Sequence, residues 1–178
     1  MKNIFKVLII TAGIVLSFNV SSFALVDGAI WGGYGFSGDA DAVPAADLTG
    51  YDYGIKAHYN TSLFPLIELG LGAYYQKSTV TFDVSGDTTD FDRKSAGIDL
   101  NLILSTPIIH PYLRGTYALW DDFDGDTENY KAWGAGVGAE ITVFPFIRLF
   151  GEYMYETTEH YSDNINMNSV NFGIKADI

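Results

Sequence analysis

The stretch "TGYDYGIKAHYN", residues 49–60, alternates almost without a break. Tyr51, Tyr53, Ile55, Ala57 and Tyr59 fall on one set of positions, and Gly50, Asp52, Gly54, Lys56, His58 and Asn60 on the other. Period two over this length is a β-strand with one apolar and one polar face. Which face points inward decides the fold.

The same pattern recurs along the chain. Ile67, Leu69, Leu71, Ala73 and Tyr75 alternate with Glu68, Gly70, Gly72, Tyr74 and Gln76; Ala96, Ile98, Leu100, Leu102 and Leu104 alternate with Ser95, Gly97, Asp99 and Asn101. Leu113, Tyr117 and Leu119 oppose Tyr112, Arg114 and Thr116, and Trp133 to Val143 oppose Gly134, Gly136, Gly138 and Glu140. Ile147, Leu149, Tyr153 and Tyr155 oppose Arg148, Phe150, Glu152 and Met154, and the chain ends on Val170, Phe172, Ile174, Ala176 and Ile178. With a weaker strand near 26–36 (Ile30, Tyr34 and Phe36 on one face) this predicts eight strands of roughly 10 residues, enough for a tilted strand to cross a bilayer.

The predicted connections alternate between two kinds. "NTSLFP", "STPIIHP" and "FPF" are tight and proline-marked, whereas 37–48, 77–92, 121–129 and 156–167 read as long polar loops. Short turns on one rim and long loops on the other are the habit of an outer-membrane barrel. A soluble barrel would put Gly70, Gly72, Gly134, Gly136 and Gly138 on its water side and crowd Tyr51, Tyr53, Tyr59, Tyr75, Tyr117, Trp133, Tyr153 and Tyr155 into a small lumen. Turned inside out, those aromatics form a girdle near the long-loop ends, where lipid headgroups lie. The expectation is an all-β, eight-stranded antiparallel up-and-down transmembrane barrel with the apolar face towards lipid.

The N-terminus agrees with export. "MKNIFKVLIITAGIVLSFNVSSFA" has Lys2 and Lys6, an apolar run from Val7 to Phe18, and small residues Ser22 and Ala24 at the −3 and −1 positions. That is the plan of a signal peptide over 1–24, with the barrel domain over 25–178. No cysteine is present, which excludes disulfides and thiol chemistry. Without Lys2 and Lys6, 8 basic residues face 22 acidic ones, a formal charge of −14 that argues against nucleic acid as a partner.

The predicted inward face carries Asp52, Lys56, Glu68, Arg93, Asp99, Arg114, Glu140, Arg148, Glu152, Lys175 and Asp177. An eight-stranded barrel is just wide enough for side chains to fill, and buried charges require partners. An internal ion-pair network that plugs the lumen is therefore expected, in preference to a narrow ion channel.

At this point the sequence resembles the small OmpA/OmpX-like outer-membrane barrel families across its mature length. Their assembly signal, polar-x-Gly-x-x-aromatic-x-aromatic, has its spacing in Asn171-Phe172-Gly173-Ile174-Lys175-Ala176-Asp177-Ile178, with Ala176 and Ile178 at the aromatic places. The resemblance implies the outer membrane of a Gram-negative (diderm) bacterium, with lipopolysaccharide and the barrel-assembly machinery as partners.

Two loop features could carry chemistry. "WDDFDGDTENY" sets Asp122, Asp124, Asp126 and Glu128 on alternate positions, hard oxygen ligands of the type Ca²⁺ takes. Gly125 falls fourth rather than sixth, so the loop reads as a solvated acidic one. "EHYSDN", residues 159–164, is similar to the His-x-Ser-Asn motif of outer-membrane lipid A deacylases. By that resemblance His160 would be the base and Ser162 the nucleophile. Asp163 replaces the motif's Asn, and no orienting glutamate follows. The expectation is a non-enzymatic barrel without cofactor or metal. Its acidic loops would meet divalent cations or a surface ligand, and a deacylase-like hydrolase is the alternative.

Overall fold

The computed structural model describes residues 25–40, 46–123, 131–160 and 163–178, with backbone alone at 46, 160 and 163. The predicted signal peptide, 1–24, lies outside the described residues. Eight strands follow in order: β1 (Val26–Ala40), β2 (Ala46–Phe64), β3 (Ile67–Val84), β4 (Asp87–Leu104), β5 (Ile109–Phe123), β6 (Lys131–Phe144), β7 (Ile147–His160) and β8 (Asp163–Asp177). Each pairs antiparallel with its sequence neighbours, and β1 pairs with β8 to close the barrel.

The faces fall as the alternation predicts. On β2, Tyr51, Tyr53, Ile55 and Tyr59 are exposed, while Lys56, His58 and Asn60 are buried. Leu100 is 45% exposed beside Asp99 at 0%. The outside is thus an apolar belt ringed by Tyr34, Tyr51, Tyr53, Tyr117, Trp133 and Tyr153, in contrast to the singly scattered apolar residues of a soluble surface.

The connections differ from expectation. The segments 37–48, 77–92, 121–129 and 156–167, read as long loops, are strand wherever they are described, apart from the turn at Ser85 and Gly86. The β3–β4 ladder runs without interruption to Val84↔Asp87 and turns over Ser85 (φ 57°) and Gly86 (φ 97°). Positive φ at both central residues is the type I′ hairpin, whose twist matches that of its strands, and the Gly86 N–H donates to the Asp83 carboxylate at 2.9 Å. β3 and β4, of 18 residues each, are nearly twice the roughly 9–11 residues a crossing needs.

The cause is a change of phase. From Leu69 to Tyr75 the odd residues are apolar and outward. Beyond Lys77 the even residues Val80 and Phe82 are apolar and inward, with Thr79, Thr81 and Asp83 outward. In that upper section Ala40, Leu48 and Val80 form a buried cluster with Phe82, Ile165 and Met167 packed on it. At the opposite rim the short turns are apolar on the outside: Phe64, Leu66, Ile108, Phe144 and Phe146 are all exposed.

Inward glycines make room for large lumen side chains. Trp31 faces Gly54 directly across β1–β2, Tyr112 faces Gly138, and Phe150 faces Gly173. A Cβ on Gly138 would lie 2.5 Å from Tyr112 Cζ and 2.8 Å from the Gly151 carbonyl, whereas a Cβ on outward Gly115 meets nothing within 4 Å. Gly138→Ala should therefore lower stability by about 1–3 kcal/mol through overpacking. Gly115→Ala should be neutral or gain about 0.5–1 kcal/mol from reduced backbone entropy. Denaturant unfolding in detergent micelles, followed by tryptophan fluorescence, measures both.

Candidate functional site

The inward polar face converges on the lumen, where charges are matched in three tiers. Nearest the short turns, Arg148 bonds Glu140 at 3.0 Å and Asp177 at 2.8 Å, and Lys175 bonds Glu140 at 2.7 Å and Asp27 at 3.2 Å. His58 bridges this tier to the next, with its ring nitrogens 2.8 Å from Asp27 and 3.3 Å from Asp99. Buried Glu68 accepts a hydrogen bond from Ser105, and the His110 ring lies 3.0 Å from the Thr142 hydroxyl.

The middle tier centres on Glu152. Its carboxylate accepts from Tyr112 at 2.7 Å, Lys56 at 3.3 Å, Asn171 at 3.3 Å, and the Arg114 guanidinium. Arg114 also donates to Asp99 at 2.7 and 2.9 Å. Phe150, Trp31 and Tyr112 surround the Lys56 ammonium, with ring centres 4.5, 5.6 and 5.9 Å away. The ring faces attract a desolvated cation, so this ammonium is held by quadrupoles as well as by its carboxylate.

In the upper tier Arg93 makes a two-pronged contact with Asp121, at 2.8 and 3.0 Å, and reaches Glu156 at 3.1 Å. Asp52 accepts from the Trp31 indole N–H at 2.9 Å. The space left among Asp52, Gln76, Ser78, Arg93 and Glu156 is about 10 Å³, room for about one water. Above it lies the apolar cluster around Leu48 and Val80.

The structure therefore brings Asp52, Lys56, Glu68, Arg93, Asp99, Arg114, Glu140, Arg148, Glu152, Lys175 and Asp177 into one interior. Four acids or rings join them that sequence reasoning left out: Asp27, Trp31, Asp121 and Glu156. Asp27 and Trp31 were within reach, since both have the parity opposite to Ile30. Asp121, read as a loop acid, shares its parity with outward Leu119, and a bulge corrects that assignment. The β4–β5 register shifts between Ala96 and Gly97, so that Leu119 and Trp120 both face out and Asp121 turns inward, fully buried. Glu156, also read as a loop acid, belongs to β7 and to the Arg93 pair.

The two loop features are not brought into a described site. Asp122 lies in β5, next to its last residue Phe123, and Asp124, Asp126 and Glu128 lie outside the described residues, as does Ser162. His160 pairs with Asp163 through the backbone at the end of β7. Among the described residues no group of three or more acids and histidines is spaced to hold a metal.

A buried pair that loses one member leaves an uncompensated charge, at a cost of about 3–5 kcal/mol. Glu152→Gln should fall in that range, because among the described residues Glu152 is the carboxylate that forms an ion pair with Lys56. Glu68→Gln, which keeps an acceptor for Ser105, should cost about 1 kcal/mol. The denaturant midpoints of the two variants give the comparison directly.

No protein-family model matches the sequence, and no curated protein matches it. Solved structures do match in shape. Neisserial surface protein A (NspA) superposes with a TM-score of 0.61 at 16% identity, covering 86% of this chain and 96% of that one. The outer membrane enzyme PagL superposes with a TM-score of 0.56 at 12% identity, covering 84% and 99%. At such identities the likeness establishes the fold, a closed eight-stranded barrel of the kind found in outer-membrane proteins.

Proposed function

We propose that this chain is a non-enzymatic, non-conducting barrel of the outer membrane of a Gram-negative bacterium, similar to the OmpA/OmpX-like proteins, that presents acidic β-hairpins to the cell exterior. The observation that carries the reading is the double seal of the interior. Paired charges fill the lumen from Asp177 to Arg93, and the apolar cluster of Ala40, Leu48 and Val80 lies above them. Every described lumen cation is engaged by a carboxylate, which leaves none to relay ions or activate a nucleophile.

The outer surface supports the orientation. On β4 the apolar outward residues run from Leu104 to Ala96 and give way to Lys94 and Asp92. At about 3.3 Å per residue and the usual barrel tilt this spans about 20 Å, and the apolar turns extend it towards the roughly 25 Å of an outer-membrane belt. The membrane thus sits flush with the short-turn rim, and the ladders protrude on the other side only. The protruding ribbons display Asp47, Asp83, Asp87, Asp90 and Asp92, all exposed. Such a field suits divalent cations bridging to lipopolysaccharide, or a basic surface. The terminal strand, with its assembly-signal spacing, would engage the barrel-assembly machinery.

A cysteine at Ser85 should react with an impermeant thiol reagent on intact cells, and one at Pro65 only after lysis. The reverse pattern would invert the orientation. Labelling of both in a soluble fraction would remove the membrane assignment.

Function itself is tested by two readings. Planar-bilayer recordings of the refolded barrel should show no stable porin-like conductance. Lipid A from cells with and without the gene should carry the same acyl chains. An acyl chain lost in a manner dependent on His160 and Ser162 would assign hydrolase chemistry instead.

A further inference from the structure

The basic residues of the described barrel divide sharply. Lys56, Arg93, Arg114, Arg148 and Lys175 are inside, each in an ion pair. Lys77, Lys94 and Lys131 face outward, and all three lie just above the apolar belt. Lys131 has Glu159 directly opposite on β7. Lys77, by contrast, has Lys94 directly opposite on β4. Like charges facing each other across an antiparallel pair are destabilising, and neither ammonium is in an ion pair among the described residues. Asp122 pairs with Lys94 through the backbone on the β5 side. Asp92 lies two residues beyond Lys94, its carboxylate engaged by the Thr79 hydroxyl at 2.9 Å.

Beneath this lysine pair the outer wall is indented. A groove of about 450 Å³ is walled by Ile30, Tyr53, Ile55 and Tyr75, floored by Gly54 and an edge of Trp31, and ends at Lys77. The register explains the alignment: Ile30, Ile55 and Tyr75 form one row across β1–β3, and Tyr53, Lys77 and Lys94 form the next. Two cations thus stand at the head of an apolar trough that runs down the membrane-facing wall.

The geometry points to a site for a phosphorylated glycolipid of the outer leaflet, its phosphate between Lys77 and Lys94 and an acyl chain in the groove. A phosphomonoester carries about −1.5 to −2 charges near neutrality, which two ammonium groups match. A phosphodiester headgroup carries about one; Asp122 and Asp92 stand on the same outward face beside Lys94, so the more highly charged phosphate competes better with these acids for the two ammonium groups. Lysine acts here as a point charge without the fork geometry of arginine, which suits a rotating phosphate at a membrane surface. The site presumes the membrane orientation proposed above, and concerns a lipid held by the wall, independent of the sealed lumen.

The test is native mass spectrometry of the full mature barrel in detergent micelles, with hexa-acyl lipid A, phosphatidylglycerol or inorganic phosphate added. Lipid A should be retained, phosphatidylglycerol retained at least about tenfold less, and inorganic phosphate not at all. The double variant Lys77→Gln/Lys94→Gln should lose lipid A by at least about tenfold. Ile30→Trp, which fills the groove and leaves both charges, should lose it as well, whereas Lys131→Gln should bind as the parent does. Equal retention of lipid A by the double variant, or of phosphatidylglycerol and lipid A by the parent, would overturn the site. Heat-modifiable migration and outer-membrane fractionation of the same variants report the barrel separately. A variant that folds into the outer membrane yet loses lipid A supports the site, and a parent barrel absent from that membrane refutes the reading it rests on.

Discussion

The pairing of β1 with β8, from Asp27↔Asp177 to Ala40↔Ile165, removes the last free edge of the sheet and with it any choice about where side chains go. In an open sheet a strand can slip or splay; in a closed ring of eight every residue is either in the lumen or on the wall. The lumen of such a ring is narrow, so what enters it must interlock. Glycine therefore faces tryptophan, tyrosine or phenylalanine across the ladder, and the remaining volume is given to charges that satisfy one another. Closure also removes edges on which other chains could pair, which leaves the wall to interact through side chains alone.

One ring of strands serves two solvents. Up to the level of Tyr75 β3 is apolar outside and polar inside; past the Arg93 tier, which pairs with Ser78, Thr79, Thr81 and Asp83 face out and Val80 and Phe82 face in. The lower part keeps buried ions because its exterior must be greasy, and ion pairs are the tolerable way to fill a lumen whose wall has taken the apolar residues. The upper part stands in water and can use an ordinary hydrophobic core, of which Leu48 and Val80 are the centre. The aromatic belt and the outward lysines mark the seam between the two regimes.

This division also decides what was legible in the sequence. Residues 49–60, 67–76 and 95–104 keep one phase from end to end, so strand identity, face and lumen charges follow from alternation alone. Residues 77–84 alternate too, but in the opposite phase, and a reader following the apolar positions loses the strand where the outside changes from lipid to water. Local irregularity was hidden for a different reason. The bulge at Leu119 moves Asp121 from the wall to the Arg93 guanidinium, and nothing in "ALWDDF" distinguishes a bulged leucine from a regular one. Asp27 and Trp31 were hidden only by the weakness of β1, whose glycines thin its pattern.

The continuous ladder of β3 and β4 up to Ser85 and Gly86 has a consequence for recognition. In the orientation proposed above this hairpin would face outward as a paired ribbon, with Thr79 tied to Asp92 at 2.9 Å and Thr81 to Asp90 at 2.7 Å, so that its carboxylates are offered at fixed spacing, each held by a threonine of the other strand. An antibody or a phage tip that fits this ribbon reads a shape assembled across the ladder. A linear peptide copied from either strand carries only half of that shape, and would make a poor decoy or immunogen for the folded ribbon.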